Sequence, residues 1–139
     1  MSFVEEDIHQ FWNSASLLGD KLGLVLLQIA PDMPNDPERL RRAILAFGNP
    51  HQVAVEFRAE EWFYEEIQAL LLETGAVFCD AESPRFQLTG RVTSSTGYIR
   101  LHGRRHRKVH FFCCKKLRFL QQKKWLPDFW IGSQAVLRR

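Results

Sequence analysis

The strongest constraint on this chain is an alternation of two periods. Residues 22–29, Leu-Gly-Leu-Val-Leu-Leu-Gln-Ile, form a nearly continuous apolar run, interrupted only by Gly23 and Gln28. A strand reads this way when both of its faces are buried, as in a parallel sheet. Helical patterns flank the run. Ser2 and Glu5 make a capping box ahead of Ile8, Phe11, Trp12, Ala15 and Leu18, which recur at three- and four-residue steps and predict a helix over 3–18 that stops near Gly19. Asp36-Pro37 is a helix start, with Asp36 as N-cap and Pro37 in the first turn. Leu40, Ile44, Leu45 and Phe47 are its expected buried stripe and Gly48 its expected stop. The pattern repeats as a strand over 52–57, a helix over 59–74 ended by Gly75, a strand over 76–79, a long loop over 83–96 and a strand over 98–101. Strands alternating with helices imply crossover connections and a parallel α/β sheet.

Other classes are excluded or disfavoured by length and motif. At 139 residues the chain is too short for a complete (β/α)8 barrel of ~250 residues. No apolar run approaches the ~20 residues of a membrane helix, so no membrane partner is expected. The N-terminal stretch 1–7 is acidic, unlike a signal or transit peptide, and the expected location is cytoplasmic. The three cysteines, Cys79, Cys113 and Cys114, are too few and too irregular for a disulfide framework. His102, His106 and His110 follow one another at four-residue steps, but they sit in a run of arginines after a strand end, and no metal site is expected. Neither common nucleotide-binding glycine motif is present and no cofactor is signalled.

Charge divides the chain. Residues 1–103 hold 8 basic and 15 acidic residues, net −7, whereas residues 104–139 hold 11 basic residues and one acid, Asp128, net +10. Two regions are therefore expected: an α/β domain over 1–103 and an irregular basic C-terminal tail over 104–139.

Five strand-end motifs stand in order: Leu18-Gly19-Asp20-Lys21-Leu22-Gly23, residues 25–31 ending Gln28-Ile29-Ala30-Pro31, Val55-Glu56-Phe57-Arg58 followed by Trp62-Phe63, Glu82-Ser83-Pro84, and Tyr98-Ile99-Arg100-Leu101-His102-Gly103. Together they resemble the YecE-like family, domain-of-unknown-function family 72, whose members resemble TIM barrels. The resemblance covers residues 10–104. It implies a partial (β/α)8 TIM-barrel segment of four parallel strands and three helices. Family members are about twice this length, and the resemblance aligns this chain with the stretch from the third helix through the seventh strand. The aromatic strand ending in Phe-Asn-Asn-Asp that closes the family's barrel has no counterpart here, and Glu82 stands where the family usually has Asp. The basic run beginning at Arg104 is then expected to be a frame-shifted end of a gene fragment, outside the ancestral fold.

In such barrels chemistry sits at the C-terminal ends of the strands. The polar residues that interrupt apolar strands here fall at that end: Gln28, Glu56 with Arg58, Asp80 with Glu82, and Arg100 with His102. Residues two apart share a strand face, which pairs Glu56 with Arg58 and Arg100 with His102. The candidate catalytic set is Glu56, His102, Asp80 and Glu82. The candidate substrate-binding set is Gln28, Arg58, Arg100 and Gly103, the last placed where many barrels hold phosphate. A carboxylate base, a histidine acid and two guanidiniums suit a small anionic or sugar-like substrate. The same residues equally suit an interior ion pair whose members only satisfy one another. Trp62 and Phe63 read as helix packing and Cys79 as a buried strand residue.

Three functions remain open at this level: a YecE-like fragment without independent activity, half of an enzyme completed by a companion chain, and a nucleic-acid binder acting through the basic aromatic tail. The first is favoured. The third is disfavoured because no recognised motif accompanies the tail. Unpaired outer strands would favour self-association or pairing with a complementary barrel half.

Overall fold

The structure, a computed structural model, describes residues 3–101 and the pair Asp128–Phe129. Helix α1 spans Phe3–Ala15, strand β1 Val25–Ile29, helix α2 Pro37–Ala46, strand β2 Val53–Phe57, helix α3 Glu65–Thr74, strand β3 Val77–Glu82, strand β4 Thr96–Leu101 and the short strand β5 Asp128–Phe129. The strands lie side by side in chain order, and every neighbouring pair is parallel. β1 and β2 run residue for residue, from Val25 beside Val53 to Ile29 beside Phe57. The α/β architecture of four parallel strands and three helices is the one the sequence implies. β5 adds to it: inside a tail read as irregular, Asp128 and Phe129 pair with Thr96 and Gly97.

The sheet separates two clusters by strand parity. Val25, Ile29, Val53, Val55, Phe57 and Phe78 face the helices and pack with Ile8 of α1, Leu40 and Ile44 of α2, and Ile67, Leu70 and Leu71 of α3. The alternate residues, Leu26, Ala54, Val77, Cys79 and Tyr98, form a second, smaller cluster on the opposite face. A doubly wound sheet carries helices on both faces. All three helices described here contribute to the first cluster, so the sheet is wound in one sense, as the units of a barrel are. All five residues of β2 are buried, which explains why this strand reads as apolar on both parities.

Local chemistry accounts for the element ends. Asp36 is extended (φ −131°) and its carboxylate accepts from Arg39 N–H at 2.9 Å, with Pro37 in the first turn of α2, as expected. Gly75 ends α3 in the left-handed region at φ 75°. Gly48, expected as a stop for α2, has another reason to be glycine. A Cβ there would lie 2.2 Å from Trp12 Nε1, so the indole of α1 rests directly on its backbone. Leu45, expected in the buried stripe, is exposed, and Ala46 and Phe47 are buried instead. The helix expected over 3–18 gives way after Ala15 to a 3-10 segment, Ser16–Lys21, kinked at Gly19 (φ 52°), and Leu18 is exposed. This delays β1 to Val25. The helix expected over 59–74 is likewise split: Glu60–Trp62 form a 3-10 turn in which Trp62 stacks on Phe57 at 5.4 Å, and α3 starts at Glu65.

Gly75 carries two constraints at once. Its φ disfavours any side chain by about 1–2 kcal/mol, and a Cβ would meet His51 Cε1 at 2.2 Å. Gly75→Ala is expected to cost roughly 1–2 kcal/mol in urea denaturation, because the exposed His51 ring can swing away from the methyl group. His51→Ala in the same background should recover only the steric share. Full recovery would show that φ imposes nothing.

Candidate functional site

The face of the sheet opposite the described helices carries Gln28, Glu56 and Arg100 at its C-terminal end. Gln28 and Glu56 are register partners on β1 and β2. Val55 pairs with Phe78, which sets Glu56 beside Cys79, and Ala81 pairs with Arg100. Arg100 must therefore reach over β3 to meet Glu56. Two strand spacings are about 9.6 Å, and the path is open because β3 offers only the small side chains of Cys79 and Ala81 on this face.

The result is a compact ion cluster. Arg100 Nη1 donates to Glu56 Oε2 at 2.6 Å and to Gln28 Oε1 at 3.0 Å. Arg58, two residues beyond Glu56, donates from Nε to Glu56 Oε1 at 3.2 Å and from Nη2 to Gln28 Oε1 at 3.1 Å. Glu56 is 2% exposed, whereas the Arg58 side chain keeps 41% of its surface in solvent. Four of the residues named from sequence thus come together: Gln28, Glu56, Arg58 and Arg100. Both Glu56 oxygens already accept from guanidinium groups, so the group this cluster presents outward is Arg58. Burial raises the pKa of the Tyr98 phenol, and burial with the nearby Glu56 charge raises that of the Cys79 thiol. Cys79 is thus protonated at neutral pH and unsuited to nucleophilic attack.

Asp80 points elsewhere. It has the opposite strand parity to Cys79 and Ala81, and its carboxylate accepts from Thr89 N–H at 2.9 Å, Thr89 Oγ1 at 3.2 Å and Gly90 N–H at 2.7 Å. It holds the loop between β3 and β4 in place. Glu82 shares its parity at the end of β3, which runs three residues beyond the expected 76–79. His102 and Gly103 lie outside the described residues, as does the rest of the tail apart from Asp128–Phe129.

Two features escaped the sequence reading. Thr93, inside the expected loop, is buried. Its hydroxyl donates to Ala76 C=O at 2.7 Å and accepts from Phe78 N–H at 2.8 Å, which satisfies the edge of β3 before β4 begins. The second is a tight turn after β3. Ser83 N–H donates to Phe86 C=O at 2.9 Å, while Ser83 Oγ accepts from Arg85 N–H at 3.2 Å and Phe86 N–H at 3.1 Å. Phe86 packs on Phe63 with ring centroids 5.4 Å apart. This turn and the ion cluster border a cleft of about 390 Å³ that includes Pro31, Arg58, Pro84 and Arg85. The signal available in sequence was Ser83-Pro84-Arg85, an arginine directly behind a turn pair at a strand end.

Comparison with known proteins bears on the fold and the family. None of the curated proteins matches this chain. The crystal structure of a DUF72 family protein from Thermotoga maritima is similar to it, with a TM-score of 0.71 and 22% sequence identity over 90% of this chain. The match covers 56% of the Thermotoga protein, so this chain spans little more than half its length. The family described as protein of unknown function DUF72 matches residues 2–127, a range that crosses Gly103 and ends one residue before β5. With most of its length matched in this way, the chain belongs to the DUF72 family.

Proposed function

We propose that this chain is one arc of a DUF72 barrel, without independent catalytic activity, and that Gln28, Glu56, Arg58 and Arg100 are part of a substrate site completed by strands it lacks. The observation that carries this reading is the placement of the ion cluster. It lies at the C-terminal ends of β1, β2 and β4, on the face opposite the described helices, which corresponds to the interior and active end of a barrel. The arc reading is supported by the 56% coverage of the Thermotoga protein and by β1, whose outer edge has no partner strand among the described residues.

Within this reading Arg58 clamps an anionic group on a small substrate, while Glu56 and Gln28 orient the guanidinium. His102 is the proposed proton donor, two residues beyond Arg100. The test is the nucleotide sequence around the coding region, read in all frames. Flanking sequence that encodes further barrel strands supports the arc. A gene that encodes this chain, with no neighbouring barrel half, overturns it.

A further inference from the structure

The described lining of the cleft beside the ion cluster falls within residues 31–86. Its charge does not balance. Glu56 is its one carboxylate among the described lining residues, and that carboxylate is already bound by Arg100 at 2.6 Å. Glu56 offers one negative charge, shared between Arg58 and Arg100, so with Arg85 the described residues around the cleft carry net positive charge. Arg58 is held by Glu56 and Gln28, which leaves its remaining N–H groups directed by a fixed guanidinium plane. The backbone of Arg85 is fixed by the Ser83 turn. The other walls are apolar: Pro31, Phe57, Pro84 and Phe86. A lining that combines guanidinium groups with apolar groups selects a ligand with both characters.

We propose that this cleft binds a small anion with a flat apolar body, of the aromatic carboxylate class, through Arg58 and Arg85, and that this chain does so without the missing strands. The inference rests on reading the strands' C-terminal ends as the functional end. It differs from the arc reading in requiring nothing beyond the residues present.

The test is calorimetric titration of the full chain with benzoate, with its neutral isostere benzamide, and with inorganic phosphate. Benzoate is expected to saturate at one site and to bind at least about tenfold more tightly than benzamide. It should also bind more tightly than phosphate, which lacks the apolar body. Arg58→Met and Arg85→Ala are each expected to weaken benzoate about tenfold. Arg85 is exposed and only its backbone serves the turn, so that variant keeps the fold even if loss of Arg58 disturbs the ion cluster. Equal binding of benzoate and benzamide, or unchanged affinity in Arg85→Ala, overturns the proposal. Absence of benzoate binding overturns it as well and leaves the arc reading standing, since that reading is decided by the flanking nucleotide sequence.

Discussion

Glu56→Ala is expected to be among the most destabilising single substitutions in the described region, at about 3–5 kcal/mol. The carboxylate is 2% exposed and receives Arg100 at 2.6 Å and Arg58 at 3.2 Å. Its removal leaves the Arg100 guanidinium, whose side chain is only 14% exposed, with the Gln28 amide oxygen in place of a counter-charge. Arg58 contributes less, because it remains 41% exposed and water can solvate it. The asymmetry between breaking a pair and replacing it supplies the control. Glu56→Leu combined with Arg100→Leu removes both charges and should recover most of the loss. Urea midpoints at constant m-value read the difference. A cost below about 1 kcal/mol for Glu56→Ala would show that the cluster behaves as a surface pair.

Phe47→Ala is the second large effect, at about 3–5 kcal/mol. Phe47 is 1% exposed and presents its ring edge-on to Phe11 at 6.4 Å and Trp12 at 6.2 Å. It follows α2 and is the main aromatic link from that segment to α1. Trp12 also rests on Gly48, which limits how far its own ring can shift into the space. The loss should be concentrated in α1. Amide hydrogen exchange is expected to rise throughout residues 5–15 while β2 stays protected, since the all-buried strand draws its packing from both clusters. Equal acceleration in α1 and β2 would mean that α1 is not a separable layer.

The two outcomes also mark how far the sequence could be read. The residues that paired in direction, Glu56 with Arg58, are on one face, because a period of two survives any error in strand ends. Asp36-Pro37 and Gly75 were legible because caps act within a few residues. Gly48 was not, because its reason is a side chain 36 positions away on another helix. The sheet face on which Asp80 lies was not legible for a related cause. Without the pairing of Val55 with Phe78, nothing in the string Cys79-Asp80-Ala81-Glu82 states which parity faces the helices. Arg85 had no signal as a cleft residue, because the turn that places it there is a feature of the fold. The expected boundary at Gly103 rested on the charge step and on the end of the family resemblance near residue 104; the family match runs to residue 127, and β5 begins just past it.

The order of the strands has one more consequence. Among the described residues, each strand after β1 is bonded to the one that precedes it in the chain. A growing polypeptide can therefore add each new strand to a sheet already in place as it leaves the ribosome, although every addition closes a parallel crossover, which is slower than closing a hairpin. Among the described residues the outer edge of β1 has no partner strand, and that edge is where an adjoining piece of barrel would add.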